Sequence, residues 1–267
     1  MKIMGIVNVT PDSFSDGGMW DTSEKAVAHG RSLLCLGADV LDIGGESTRP
    51  GARSLDSATE WDRIAPVVTD LAREGCVSVD TYHARTAELA VRAGAKIVND
   101  VTGGKGDPEM FSAVADLGCE YILQHGRGNA RTMNSLSNYE SGVAQTVLAE
   151  LLRARDRAVA AGIDAQKIIL DPGLGFAKLG DQDWELLRHT EMFVNTGHRV
   201  LIGQSRKRFL QAVCGAESSF PQRDTATAVI SAFLSGMGVW AVRVHNVQAS
   251  AQAVATAEKL GKTRETR

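Results

Sequence analysis

Apolar residues along the chain gather into eight short runs, and each run ends in a polar cluster: Asn8, Asp42, Asp80, Asn99 with Asp100, His125, Asp171, Ser205 to Lys207, and Arg243 with His245. The clusters recur every ~34 residues on average, the length of one strand, one helix and two loops. The runs predict strands at Ile3 to Val7, Val40 to Ile43, Val77 to Val79, Lys96 to Val98, Tyr121 to Leu123, Ile168 to Leu170, Val200 to Ile202 and Ala241 to Val244. They are continuous rather than alternating, as expected of parallel strands covered on both faces. Between them the pattern turns helical. The clearest helix opens with a capping box, Ser57-Ala-Thr-Glu60, sets Trp61, Ile64, Val68 and Leu71 on one face, and stops at Gly75. Another begins at Asp107-Pro108 and stops at Gly118. Gly37, Gly75, Gly94, Gly118 and Gly162 each precede a predicted strand, where a C-cap glycine turns the chain.

Eight strand–helix units predict an α/β fold, a single (β/α)8 TIM barrel. Such a barrel takes ~250 residues, so the 267 residues hold one domain, 1–267, without a second core. Three connections are longer than the rest: Thr10 to Asp21, Gly44 to Asp56 and Gly126 to Asn138. All three follow strands, which puts them on the C-terminal rim, where barrel enzymes hold their substrates and where long loops act as lids. Ordinary surface excursions have no reason to share one rim.

Composition narrows the partners. With 43% hydrophobic and 23% charged residues, a large core is expected and disorder is not. A net charge of −3 argues against nucleic acid and anionic membrane as partners, while leaving room for a local anion site. No signal-peptide pattern follows Lys2, and no apolar stretch approaches the ~18 residues of a membrane span, so a cytoplasmic location is expected. Cys35, Cys76, Cys119 and Cys214 lie far apart in or beside apolar runs and read as reduced packing thiols.

The rim clusters carry the candidate chemistry. Asp80, Asn99 and Asp171 end strands 3, 4 and 6, and Ser205-Arg206-Lys207 follows strand 7. Two carboxylates, an amide and an ammonium in one barrel mouth could read the edge of an uncharged heterocycle with adjacent N–H donors and a nearby carbonyl. Any one of them alone is equally consistent with a helix cap or a salt bridge; their common rim position favours a site. Arg243 and His245 alternate with Val244 and so point the same way, beside the region where barrels bind phosphate. The Ser205 segment is expected to open a helix whose N–H groups also favour an anion. No zinc or calcium pattern occurs, whereas Mg²⁺, which keeps waters and borrows phosphate oxygens, needs only a rim ligand such as Asn8. His29, His83, His189 and His198 read as lying away from the rim.

Read in order, Asn8-Val-Thr-Pro-Asp-Ser-Phe-Ser-Asp-Gly-Gly18, Asp42-Ile-Gly-Gly-Glu-Ser-Thr-Arg-Pro-Gly51, Ser78-Val-Asp-Thr81, Asn99-Asp100, Leu170-Asp-Pro-Gly-Leu-Gly-Phe-Ala-Lys178, Ser205-Arg-Lys207 and Arg243-Val-His245 resemble the dihydropteroate synthases across essentially the whole chain. The resemblance implies condensation of (7,8-dihydropterin-6-yl)methyl diphosphate with 4-aminobenzoate, releasing diphosphate and giving 7,8-dihydropteroate for folate synthesis. It implies a pterin pocket of Asp80, Asn99, Gln124, Asp171, Phe176 and Lys207, and a diphosphate site of Asn8, Arg243 and His245 with Asn8 on Mg²⁺. It also implies an aminobenzoate pocket of Phe14, Thr48, Arg49, Pro50 and Ser205, Asp16 near the reacting methylene, a homodimer, and sensitivity to sulfonamides. The catalytic set would be Asn8, Asp16, Arg49 and Lys207.

The chain departs from the usual pattern at Gln124, where methionine is common, at Gln204, usually small or apolar, at Gly126, and at Asn246, often Asp. A buried, unpaired Gln124 amide would cost ~1 to 3 kcal/mol, so it is expected either to bond the pterin or to point away. Two other readings share the fold: a barrel that moves a methyl group from methyltetrahydrofolate to a corrinoid protein, and an inactive pterin-binding paralogue. Arg243, His245 and the aminobenzoate loops argue against the first; retention of Asn8, Asp16, Arg49 and Lys207 argues against the second.

Overall fold

The computed structural model describes residues 1–10, 23–46, 54–128, 132–140 and 142–261. Eight parallel strands close in sequence order into a barrel: β1 (Lys2–Asn8), β2 (Val40–Gly44), β3 (Cys76–Asp80), β4 (Ile97–Asp100), β5 (Glu120–Gln124), β6 (Ile168–Asp171), β7 (Arg199–Ile202) and β8 (Ala241–Val244). Helices α1 (Ser23–Cys35), α2 (Ser57–Leu71), α3 (Ala84–Arg92), α4 (Met110–Leu117), α5 (Val143–Ala160), α6 (Gln182–Arg188), α7 (Thr190–Val194), α8 (Gln211–Cys214), α9 (Phe220–Ser235) and α10 (Val247–Gly261) form the outer layer.

Every predicted strand is present, but six extend past their predicted C-terminal ends, β2 by Gly44 and the other five by polar residues: Asn8, Asp80, Asn99 with Asp100, Gln124 and Asp171. The apolar pattern ends before the hydrogen-bond ladder does. Asp80 still pairs with Asn99 in register, and Gln124 with Asp171.

Strand residues alternate between two cores. Outward residues such as Val7, Ile43, Val79, Leu123, Leu170 and Ile202 pack under the helices. Met4, Val40, Ile97, Ile122, Ile169, Leu201 and Ala241 form a separate apolar plug inside the barrel, one from each strand except β3, whose Cys76 packs against it. Such interior layers make a barrel a packed core rather than a pore. The next inward position on each strand lies two residues further on, at Ile6, Asp42, Ser78, Asn99, Gln124, Asp171, Gly203 and Arg243. That layer is mostly polar, and it floors the site.

Several local expectations change. The N-cap of α2 is Asp56, whose carboxylate accepts the Thr59 N–H at 2.8 Å. Glu60 does not close a box on Ser57. It is buried and accepts from Thr81 Oγ1 at 2.8 Å, with His83 Nδ1 at 3.0 Å. His83 therefore belongs to the rim side of the barrel, tied to Glu60 rather than to the cavity. The buried face of α2 carries Ile64, Val68 and Leu71 as expected, joined by Val67, while Trp61 is half-buried. At Asp107 the carboxylate caps the Glu109 N–H (2.9 Å), but the helix itself begins at Met110. Gly118 takes φ 59° at the end of α4 as expected of a C-cap glycine. Gly75 has no such need; a Cβ there would stand 2.9 Å from Leu34, so close packing accounts for it. The four cysteines are free, and Cys35 is exposed rather than packed.

Candidate functional site

A cavity of about 800 Å³ opens at the C-terminal mouth of the barrel. Its lining includes Asn8, Asp80, Asn99, Gln124, Asp171, Phe176, Ser205, Lys207, Arg243 and His245, so every predicted site residue within the described regions reaches it. Phe14, Asp16, Thr48, Arg49 and Pro50 lie outside the described residues. Inward alternation explains the gathering: Asn8, Asp80, Ser205 and His245 each stand two residues above a member of the polar layer.

The centre of the site is an ion network. Arg243 Nε donates to Asp42 Oδ2 at 2.6 Å, and its Nη2 donates to Asp80 Oδ2 at 2.8 Å. Asn99 Nδ2 donates to the same Asp42 oxygen at 3.0 Å. Burial pushes the Asp80 carboxyl well above the usual carboxylate range, against the pull of Arg243, and the charge of Asp42 adds to the rise. Burial alone would weaken the Arg243 proton, but Asp42 and Asp80 hold it more firmly than usual. Asp42, fully buried below the cavity, is a residue that sequence reading took as a strand landmark and gave no role. Its signal was its parity, two residues past the interior Val40.

On the opposite side, Asp171 Oδ1 accepts the Gly173 N–H at 2.7 Å, leaving its second oxygen for a ligand. Burial raises the Asp171 carboxyl, with the Lys207 ammonium pulling it back down. Burial likewise lowers Lys207 to about 8, while Asp171 and Asp183 oppose the shift. The Lys207 ammonium donates to the Leu174 carbonyl and lies 4.9 Å from the Phe176 ring centroid. Gly175 gives its stem room, because a Cβ there would stand 3.2 Å from Lys207 Cδ. Ser205 Oγ accepts the His245 backbone N–H at 3.1 Å and lies 2.9 Å from His245 Nδ1.

The expected helix after Lys207 is shorter than predicted: a 3-10 turn, Arg208–Leu210, leads into the four residues of α8. The segment therefore offers an anion side chains rather than a long helix dipole. Gln124 lines the cavity and donates weakly to the Val101 carbonyl at 3.3 Å. Gln204 faces outward and donates to Ser231 Oγ on α9 at 2.9 Å, so it does not alter the pocket. Asn246 accepts the Ala249 N–H at 3.1 Å, a helix-start role that Asn fills as well as Asp.

The chain is similar to known proteins over nearly its whole length. The profile of the pterin binding enzymes matches residues 4–245. The dihydropteroate synthase of Mycobacterium leprae is 46% identical over 260 residues, covering 95% of this chain and 91% of that protein. That of Staphylococcus haemolyticus is 40% identical over 247 residues, covering 92% and 90%. Among solved structures, the Yersinia pestis dihydropteroate synthase with a sulfonamide drug superposes with a TM-score of 0.92 at 33% identity, covering 98% of this chain and 94% of that one. The Xanthomonas albilineans enzyme with 4-aminobenzoic acid does so with 0.89 at 38% identity, covering 97% and 93%. The chain therefore belongs to the pterin binding enzyme family and, within it, to the dihydropteroate synthases.

Proposed function

We propose that the barrel-mouth cavity is where the chain joins 4-aminobenzoate to the pterin. The single observation that carries this reading is that one cavity gathers Asp80, Asn99, Asp171 and Lys207 with the Arg243–His245 pair. Asp171 faces the N3–H and 2-amino donors of the pterin with its free oxygen. Asp80, Asn99 and Lys207 complete the polar edge, Gln124 adds to the wall, and Phe176 supplies an apolar face. Arg243 and His245 take the diphosphate; the Nη1 hydrogens of Arg243 remain available while Nε and Nη2 hold Asp42 and Asp80.

The donor set fits Mg²⁺. Among the described residues no three His, Cys, Asp or Glu side chains come together to cage an ion. Asn8 offers one oxygen from β1, the neighbour of β8, which suits a cation that keeps its waters and takes further oxygens from a diphosphate. When bound, Mg²⁺ neutralises charge on the departing diphosphate. An arylamine is already an uncharged nucleophile, so the difficult step is loss of diphosphate. Arg243 and His245 absorb that charge, and the pterin delocalises the cation left behind. In the same reading Asp16 stabilises this cation, and Phe14, Thr48, Arg49 and Pro50 join Ser205 around the aminobenzoate. Sulfonamides, as aminobenzoate mimics, enter the same pocket.

In the same reading the protein works in the cytoplasm as a homodimer. Free cysteines suit a reducing compartment, and among the described residues no helix is long and apolar enough to cross a membrane. Val229 and Phe233, 65% and 69% exposed on α9, offer an apolar face to a second copy.

The test is diphosphate release from the pterin diphosphate, with and without 4-aminobenzoate and with and without Mg²⁺, alongside identification of the pterin product. Release that requires both, with one dihydropteroate formed per diphosphate, is expected. Release that ignores aminobenzoate overturns the assignment of the site, and release that persists with chelator overturns the metal.

A further inference from the structure

The loop after β6, Pro172 to Lys178, carries Phe176 to the cavity, and its backbone adopts a conformation its sequence does not favour. Ala177 has φ 54°, in the left-handed region that a Cβ disfavours. Non-glycine residues stay there when their surroundings over-determine them. Two side chains hold this loop by its carbonyls, Lys178 from its own end and Tyr139 from the loop before α5. Lys178 Nζ donates to the Phe176 carbonyl at 2.8 Å, and Tyr139 donates its hydroxyl hydrogen to the Ala177 carbonyl at 2.9 Å. Both contacts flank the strained residue.

Lys178 is itself fixed. Only 2% of it is exposed, and its Nζ lies 3.0 Å from His125 Nδ1. His125 follows β5, donates its backbone N–H to the Asp171 carbonyl at 2.8 Å, and sets Nε2 2.8 Å from Glu150 on α5. Arg127 pairs with Glu150 and lies 4.2 Å over the Tyr139 ring, which closes the circuit. An ammonium that donates to Nδ1 requires that nitrogen to be bare, so the imidazole proton sits on Nε2, facing the Glu150 carboxylate. Burial, helped by the Lys178 charge, keeps His125 neutral by lowering it to about 3. The loop also has no room to slide, since a Cβ at Gly173 would stand 1.9 Å from the His125 carbonyl oxygen.

We propose that Lys178, His125 and Tyr139 are positioning residues for the pterin pocket, holding Ala177 left-handed so that the Phe176 ring stays fixed beside the Lys207 ammonium. This rests on the reading above of Phe176 as a pterin wall. A lysine buried at the end of a rim loop gains nothing for core packing that methionine would not supply, and burial lowers its ammonium to about 7. What its Nζ adds is the hold on two groups, the Phe176 carbonyl and the His125 imidazole.

The experiment measures kcat and both KM values for Lys178→Met, Tyr139→Phe, Ala177→Gly and the double variant Ala177→Gly with Lys178→Met, with Phe176→Ala as reference. Lys178→Met and Tyr139→Phe are each expected to raise the pterin diphosphate KM about tenfold, with the aminobenzoate KM and kcat within about threefold of wild type. Glycine occupies the left-handed region freely, so the double variant is expected to recover most of the loss. Tyr139→Phe removes one hydroxyl, so it carries the test even where Lys178→Met fails to fold. A pterin KM unchanged in Tyr139→Phe, or a fall in kcat alone, overturns the proposal. Failure of Ala177→Gly to rescue a folded Lys178→Met also overturns it. If Phe176→Ala leaves the pterin KM unchanged, the pterin-wall reading is what fails, and the positioning role falls with it.

Discussion

Asp42 is one buried carboxylate that joins the two proposed subsites. Its Oδ2 accepts from Arg243, assigned to the diphosphate, and from Asn99, assigned to the pterin, while its Oδ1 has no partner among the described residues. Removing one partner of a buried ion pair costs far more than an exposed pair contributes, because the remaining charge is left uncompensated. Asp42→Asn is expected to destabilise the protein by about 3 kcal/mol in urea unfolding. It is also expected to bring the Asp80 carboxyl back down toward the ordinary range, because the charge of Asp42 is among the causes that raise it. Resolving the Asp80 titration by NMR in the variant checks this. An Asp80 that titrates as in wild type would mean that the charge of Asp42 contributes nothing to its raised proton affinity. Asp42 stood in the sequence beside recognised motif residues, yet nothing local marked it as a partner of Arg243, which lies 201 positions away.

At the scale of elements, the join between β5, α5 and the β6 loop makes stability depend on pH through His125. Its ordinary value is 6.5, and burial and Lys178 lower it to about 3 in the fold. Between those values the unfolded chain binds a proton that the folded chain refuses, so stability falls as pH falls from about 6.5 to 3. Glu150, held well below the usual range by His125 and Arg127, adds a loss in the same direction at the acid end. Thermal unfolding at steps from pH 7 to 4 is expected to show a steeper acid decline for wild type than for His125→Gln. Equal slopes would show that other groups carry the acid limb. Sequence reading placed β5 correctly and marked His125 as its polar end. It could not see that the side chain turns away to Lys178 and Glu150, since that depends on what α5 and the β6 loop bring to the same place. The α2 cap is a milder case: Ser57 and Glu60 fit a capping box by spacing, but Asp56 caps and Glu60 is drawn to Thr81 and His83 on the neighbouring β3 loop.

At the scale of the whole molecule, Val229 and Phe233 lie one helical turn apart on α9 and leave an apolar face exposed, whereas Leu234 beside them is fully buried. A homodimer through this face is expected, and light scattering after gel filtration checks it. Phe233→Glu is expected to shift the protein to monomer at micromolar concentration. A wild-type protein that is already monomeric there would remove the homodimer from the reading.

The eightfold period, the order of the strands and the clusters at their ends were all decided by the sequence itself, because apolar runs and helix punctuation are local properties. The rim motifs were legible for the same reason, being contiguous stretches. Parity within each strand was available as well, and it would have turned Gln204 outward and Asp42 inward. The tertiary structure alone decided which of these groups meet. Closing the barrel sets β8 beside β1, so that Arg243 reaches Asp42 and Asp80 across the mouth, and burial in that shared space then sets their protonation. Charge and hydrogen-bond partnership act over a few ångströms of space rather than along the chain, and only the closed fold supplies those distances.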